Sequence, residues 1–204
     1  MNKLRLLLAA ILVSITCVAS SKAIYMSGKA WLAQVLLVNA WHEHMNTREA
    51  NKPWPWADIY PIALLEVPRL KIQQVILNDH SGEAMAFGPG MVSAEGAVVL
   101  AGHRDSHFEY LQELKTKDEL TLTTRDGIES HYRVVDKQII NTKITKEINP
   151  RDDMLVLTTC YPFNASQAGG PLRYLVIAEK IENVSNQIIL HQASNKKEST
   201  ALVF

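Results

Sequence analysis

The feature that most constrains the fold is a series of short apolar or alternating runs that begins after Ile59. Turn residues separate the runs, and one of the turns, Asp126-Gly127, is typical of a β-hairpin. One short helix, at about His107–Leu114, interrupts the series. Seven or eight strands with few helices predict a small closed β-barrel or a sandwich. The predicted strands are Ile62–Val67, Lys71–Leu77, Ala97–Ala101, Glu119–Thr124, His131–Ile140, Met154–Thr159 and Leu172–Ile181.

The N-terminus indicates export. Lys3 and Arg5 precede the uncharged, mostly apolar stretch Leu6–Ala19, and Lys22 follows it. The stretch is shorter than the roughly 20 residues of a full transmembrane helix, and it also suits a signal-peptide core. Because the positive flank should stay cytoplasmic, we expect residues 1–23 to be an uncleaved, single-pass signal anchor in the inner membrane. The remainder would then lie on the periplasmic side.

A helix and a proline-rich link are predicted between the anchor and the strands. Trp31, Val35 and Val38 form a helical stripe within residues 24–45. The prolines of the segment Pro53–Asp58 end any helix, and we expect its tryptophans to pack against the domain. The predicted division is 1–23 anchor, 24–58 helix and link, 59–183 catalytic barrel and 184–204 tail.

Charge and cysteine content narrow the function. The formal net charge is zero and no basic stripe is present, which argues against a nucleic-acid partner. Of the two cysteines, Cys17 lies in the apolar N-terminal run, so a disulfide with Cys160 is implausible. Cys160 is therefore an unpaired thiol in an exported chain, where thiols tend to be paired or used.

Three reactive residue types fall at strand ends. The apolar run that ends at Ala101 leads to His103, and the glycine between them favours a close approach of backbone. A second apolar run ends at Cys160, and Arg173 opens a third. If the last two strands are antiparallel neighbours, Cys160 and Arg173 lie at the same end of the sheet.

These residue types suit acyl transfer. A thiol attacks as the thiolate, and a nearby histidine can accept its proton or pair with it. The same imidazolium can protonate a leaving amine. An arginine offers several fixed N–H donors, either to the oxyanion or to the substrate chain. His103, Cys160 and Arg173 are therefore the candidate catalytic residues.

The motifs around these residues resemble those of sortases. Leu157-Thr158-Thr159-Cys160 with Arg173 downstream is similar to the sortase cysteine and arginine signature, and Ala101-Gly102-His103-Arg104 is similar to the histidine motif. Val156 departs from the signature at a position back along the strand. Further segments resemble the proteobacterial class GN sortases: Pro53–Asp58, Ala86–Gly90, Gly102–Phe108, Thr159–Phe163 and Gly170–Tyr174.

The resemblance implies a mainly β fold: a closed eight-stranded sortase-like barrel with short helices and an N-terminal helix. It implies cleavage of a C-terminal sorting signal on an exported protein, typically between Thr and Gly, and transfer of the acyl group through the cysteine to an amine acceptor. His103, Cys160 and Arg173 match the family triad, and no cofactor or metal is expected. Thr159, Asp105 and His107 are further candidates for substrate binding.

Several alternatives stay open. A free cysteine is usually buried and inert. His103 and His107, spaced i and i+4, could suit a metal on a helix, although a loop is favoured. His42-Glu43-His44 is interpreted as a solvated helix end. The competing functions are a cysteine peptidase, an L,D-transpeptidase-like cell-wall enzyme, and a membrane-tethered domain that only binds partners.

Overall fold

Eight strands close into one barrel in the computed structural model of the chain, which describes residues 2–49, 52–93, 97–144, 153–165, 167 and 169–181. Around the barrel the strands follow the order β1-β2-β3-β4-β7-β8-β6-β5. The predicted mainly β barrel is confirmed, and the sandwich alternative is wrong. The strands are β1 (Pro61–Val67), β2 (Ile72–Leu77), β3 (Gly90–Ser93), β4 (Val98–Ala101), β5 (Glu119–Thr124), β6 (Glu129–Asn141), β7 (Met154–Cys160) and β8 (Leu172–Lys180).

The seven predicted strands are all present, and β3 is an addition. Its Gly90 pairs with Leu77 of β2 on one side and Ala101 of β4 on the other. The predicted Asp126-Gly127 hairpin joins β5 to β6, which pair antiparallel. The predicted short helix is a 3-10 helix at Glu109–Glu113. Two further short helices are the 3-10 turn Pro68–Leu70 and α2, which is Gly82–Met85 once the long N-terminal helix is counted as α1.

The core lies inside the barrel because the strands alternate. In β1, Ala63, Leu65 and Val67 are fully buried, while the residues between them are only partly covered. Successive side chains of a strand point to opposite faces, so one face of each strand fills the interior. Phe108, from the segment after β4, is fully buried among these side chains. Its burial ties that segment to the core.

The N-terminal helix α1 (Asn2–Thr47) packs on the outside of the barrel through its C-terminal part. Leu37 and Trp41 are buried against Val75 and Leu77 of β2. The predicted helix over residues 24–45 is confirmed, but two members of its apolar stripe, Trp31 and Val38, are 68% and 39% exposed. A different face of the helix is buried instead, because its larger side chains cover the outer apolar face of β2. Its buried members are Ala33, Leu37, Ala40, Trp41 and His44.

The end of α1 is also less solvated than predicted. His44 is 9% exposed, and its Nε2 lies 3.0 Å from the carbonyl oxygen of Arg125 in the β5–β6 hairpin. His42 and Glu43 are exposed, as expected. The hairpin therefore docks on the helix and buries only the histidine that faces it.

The predicted domain division remains a prediction. Helix α1 runs without a break through the proposed boundary at residue 23. Among the described residues, no helix combines the length and apolar character needed to span a membrane. The proposed C-terminal tail, 184–204, lies outside the described residues.

One buried carboxylate should make stability depend on pH. Both oxygens of Asp118 accept hydrogen bonds from Arg69, each at 2.6 Å, and Oδ2 also accepts from the backbone N–H of Lys115 at 2.7 Å. The hydrogen bond from Arg69 is the main reason that the pKa of Asp118 lies below its usual value of 3.8. Because the folded pKa is depressed, this stabilisation is present above pH 3.8 and is lost as pH falls through the folded pKa.

We expect Asp118→Asn to destabilise the fold by about 2 kcal/mol at pH 7, because a charge-assisted pair is replaced by weaker neutral bonds. Urea unfolding at pH 7 and at about pH 3 measures the effect, which should shrink at the lower pH. Asp58→Asn is the control, since Asp58 is exposed. An equal loss at both pH values would contradict the assignment.

Candidate active site

The three predicted catalytic residues come together at one rim of the barrel. Strands β4 and β7 are parallel, with Ala101 level with Thr158. His103 lies two positions after Ala101, and Cys160 lies two positions after Thr158, so the two residues are at the same level of the barrel rim. Strand β8 runs antiparallel to β7 and sets Arg173 directly opposite Cys160. Directly opposed residues of an antiparallel pair have Cα atoms about 4.5–5.5 Å apart. The predicted antiparallel pairing is therefore confirmed.

Backbone contacts hold the β4 end against β7. The N–H of Gly102 donates to the carbonyl of Thr158 at 3.2 Å, and Oγ1 of Thr159 donates to the carbonyl of Gly102 at 2.7 Å. Gly102 is buried against Phe108, and a Cβ there would lie 2.9 Å from a ring carbon. A larger residue would have to displace this strand end, so the glycine is required by the close approach that the sequence predicts.

Partial exposure makes the site accessible. His103, Cys160 and Arg173 are all half-buried, and Cys160 is a free thiol. Nη1 of Arg173 donates to the carbonyls of Gly170 at 2.8 Å and Leu172 at 2.9 Å. Within the described part of the chain, its other nitrogens have no hydrogen-bond partner. The guanidinium is thus oriented by its own loop while it retains donors for another molecule.

The three further candidates differ in their surroundings. Thr159 is 2% exposed and committed to Gly102, which gives it a clear role in positioning, and contact with substrate stays a prediction. Asp105 is exposed at the rim. His107 is half-buried, and burial lowers its pKa below the usual 6.5, with a smaller effect in the same direction from His103. The neutral imidazole of His107 is therefore favoured at neutral pH.

The segment after His103 is not a helix. Residues 104–108 form turns, and the N–H of Phe108 donates to the carbonyl of His103 at 2.9 Å. The i and i+4 spacing of His103 and His107 therefore does not have the helical geometry on which the metal-site alternative depended. The favoured loop context is confirmed.

Aromatic side chains brace the two strand ends that carry Cys160 and Arg173. Tyr161 and Tyr174, each next in sequence to one of those residues, stack with ring centroids 6.2 Å apart. Phe163 packs edge-on against Tyr174 at 5.2 Å. Phe163 and Tyr174 also pack on the barrel core. The pairing of β7 with β8 is thus reinforced beside the two candidate residues.

Arg104 is a site feature that the sequence did not single out. It is 7% exposed, and its Nη2 donates to the carbonyls of Ala165 at 3.1 Å and Gln167 at 2.6 Å. Both acceptors belong to the β7–β8 loop. Its position directly after His103 was the available signal, but a single arginine is usually a surface residue with a buried stem.

A cavity of about 330 Å³ lies elsewhere, and none of the three candidate catalytic residues lines it. Trp54 contributes to its wall and contacts the ring of Phe87, with centroids 5.5 Å apart. The predicted packing is confirmed for Trp54. It is wrong for Trp56, which borders the cavity but is 80% exposed.

The chain is similar in sequence to known sortases. The domain family described as the sortase domain matches residues 65–181. Sortase D of Bacillus subtilis (strain 168) is 29% identical over 126 residues, which cover 58% of this chain and 63% of that protein. The match thus spans less than two thirds of the relative's length.

Solved structures share the fold. Sortase A from Corynebacterium diphtheriae superposes with a TM-score of 0.53 at 22% identity, covering 63% of this chain and 64% of that chain. Sortase A of Listeria monocytogenes gives a TM-score of 0.51 at 17% identity, covering 60% and 88%. With a barrel of this topology and a family match over more than half of its residues, the chain belongs to the sortase family.

Proposed function

We propose that the chain is a cysteine transpeptidase. It cleaves a C-terminal sorting signal of an exported protein, typically between Thr and Gly, and transfers the new acyl end to an amine. The observation that carries the proposal is the position of Cys160 opposite Arg173, with His103 level with Cys160 on the neighbouring strand end. Family membership supports the same chemistry.

In the first half-reaction, Sγ of Cys160 attacks the carbonyl carbon of the Thr–Gly bond, while His103 holds the thiol proton. A C–S bond forms, and the carbonyl electron pair moves to oxygen. The free N–H groups of Arg173 stabilise this oxyanion. When the oxyanion collapses, the C–N bond breaks, and His103 gives its proton to the leaving glycine amine. A thioester on Cys160 remains.

In the second half-reaction, an incoming amine attacks the thioester carbonyl. A new C–N bond forms and the C–S bond breaks, while the proton of the amine passes to His103 and then to the departing thiolate. If water attacks instead, the product is a free acid and the enzyme acts as a peptidase. The two outcomes use the same residues, so the acceptor decides between them.

We also propose attachment to the inner membrane through the start of α1, with the barrel on the periplasmic side. Support comes from the basic residues Lys3 and Arg5 before an apolar stretch. The described large apolar side chains of that part of the helix are exposed rather than packed on the barrel: Leu7, Leu8, Ile11, Leu12, Val13 and Ile15.

We further propose that the chain belongs to the class GN branch of sortases. This assignment rests on the sequence segments alone.

A peptide panel tests the function directly. The purified full chain is mixed with peptides that contain a Thr–Gly bond in randomised context and with hydroxylamine as the amine. We expect mass spectrometry to show loss of the Gly-terminal piece and formation of a hydroxamate. Free acid alone would favour the peptidase alternative, and no cleavage of any peptide would contradict the proposal.

A further inference from the structure

Arg104 is a buried cation without a carboxylate partner among the described residues. It is 7% exposed, and only Nη2 is hydrogen-bonded, whereas the buried Nη1 has no partner in the part of the chain that the structure describes. Burying a charge is costly unless it is well paired and hydrogen-bonded. A residue held at such a cost, next in sequence to His103, calls for a specific role.

Its two hydrogen bonds reach the loop that joins Cys160 to Arg173. The carbonyl of Gln167 accepts one of them at 2.6 Å, and three positions later the carbonyl of Gly170 accepts from Nη1 of Arg173 at 2.8 Å. Gly169 and Gly170 both have positive φ, 88° and 93°, and both are open to solvent. Without an anchor, these two glycines would leave the backbone before Arg173 free to rotate.

We propose that Arg104 is a positioning residue that orients the guanidinium of Arg173 by holding the carbonyls of Ala165 and Gln167 in the loop before it. The proposal rests on the proposed transpeptidase function, in which Arg173 stabilises the oxyanion. One residue pair, His103 and Arg104, thereby serves both sides of the site. His103 stands level with Cys160, while Arg104 fixes the loop that leads to Arg173.

The chemistry explains why arginine occupies this position. A planar guanidinium nitrogen can donate to two carbonyls at once in a fixed geometry, whereas a lysine ammonium is a flexible point charge. The carbonyls of Ala165 and Gln167 are two positions apart in sequence, so the two bonds together hold the loop at two nearby points. A neutral glutamine is shorter and would reach at most one of them.

The first experiment measures the anchor without any substrate. Hydrogen exchange of the backbone amides between residues 165 and 171 is compared in the full-length wild type, Arg104→Gln and Arg104→Lys. We expect exchange in this loop to be at least about tenfold faster in Arg104→Gln, with smaller changes in the barrel strands. Unchanged exchange in both variants would overturn the proposal, whatever the enzyme's substrate.

The second experiment measures coupling to Arg173. The kcat and KM of the most rapidly cleaved Thr–Gly peptide are determined for wild type, Arg104→Gln, Arg173→Ala and the double variant. All rates are normalised to the amount of Cys160 that iodoacetamide alkylates, counted by mass spectrometry of the Cys160 peptide because Cys17 is also a free thiol. We expect Arg104→Gln to lower kcat by about tenfold with little change in KM, since misplacement affects the transition state. In the Arg173→Ala background, the same substitution should lower kcat by less than about twofold.

Arg69→Gln is the matched control. It removes an arginine that bonds the buried carboxylate of Asp118, so it tests loss of stability alone. Asp118 precedes the start of β5, which lies across β6 from Glu179, six positions along β8 from Arg173. The proposal would be overturned if Arg104→Gln lowered kcat by the same factor in the Arg173→Ala background as in the wild type. An unchanged kcat in Arg104→Gln itself would also overturn it. If Arg104→Gln does not fold, Arg104→Lys, which keeps the charge, replaces it in the double-mutant cycle with Arg173→Ala. Failure of the proposed transpeptidase function can be told apart from failure of the Arg104 proposal, because the wild type itself would then cleave no peptide.

Discussion

Replacing Cys160 with alanine is expected to abolish turnover while the barrel stays folded. In the proposed mechanism the acyl group passes to Sγ of Cys160, and removal of a catalytic nucleophile can cost about a millionfold in kcat. Cys160 is half-buried at the end of β7 and is not part of the barrel core. Loss of its sulfur therefore leaves little cavity, and we expect an unfolding midpoint close to that of the wild type.

The chain provides its own control for this prediction. Cys17, the second cysteine, is exposed on α1, so Cys17→Ala should keep full activity. Hydroxamate formation from the Thr–Gly peptides measures both variants, and circular dichroism checks their folding. Transfer by Cys160→Ala at the wild-type rate would show that the covalent mechanism is wrong.

Arg173→Lys should lower kcat by about a hundredfold or more, the usual cost of losing one oxyanion donor. In the wild type, two backbone carbonyls hold Nη1 and leave the other guanidinium nitrogens for substrate. A lysine has one nitrogen for both tasks. If it bonds to Gly170 and Leu172, it cannot also reach the oxyanion with the geometry of a guanidinium fork.

Measurement of kcat and KM separates the roles that remain possible for Arg173. A fall in kcat with unchanged KM indicates transition-state stabilisation, while a rise in KM alone indicates substrate binding. Arg133→Lys on β6 is the control, because Arg133 is half-exposed and pairs with Glu119. Near-normal kcat and KM in Arg173→Lys would remove Arg173 from the reaction.

Local sequence patterns were sufficient for most of the fold. Apolar alternation is a property of each strand, so it predicted seven of the eight strands. It failed for β3, whose four residues follow Gly88-Pro89 and are defined by pairing with β2 and β4. It also failed for the buried face of α1, because contact with β2 rather than the helix itself selects Leu37 and Trp41.

For the site, too, the features with a local sequence pattern could be predicted and those set by long-range contacts could not. His103, Cys160 and Arg173 could be chosen from sequence because each follows or opens a recognisable apolar run. Arg104 could not, since its burial depends on carbonyls more than 60 positions away in the chain. The same holds for His44, which is buried by a hairpin 81 positions along the chain. Contacts over such distances leave no periodic signal in sequence.

Strand β7 has a neighbouring strand on each side, which limits how a polypeptide can approach the end that carries Cys160. Strand β4 occupies one side and strand β8 the other, and the barrel is closed. An extended peptide therefore cannot add as a new strand beside residues 155–158 of β7, although strand addition is a common mode of peptide recognition at open sheet edges. It must cross the rim and be recognised by side chains and loops there. Selectivity can accordingly diverge through loop substitutions while β7, the strand that carries Cys160, stays unchanged.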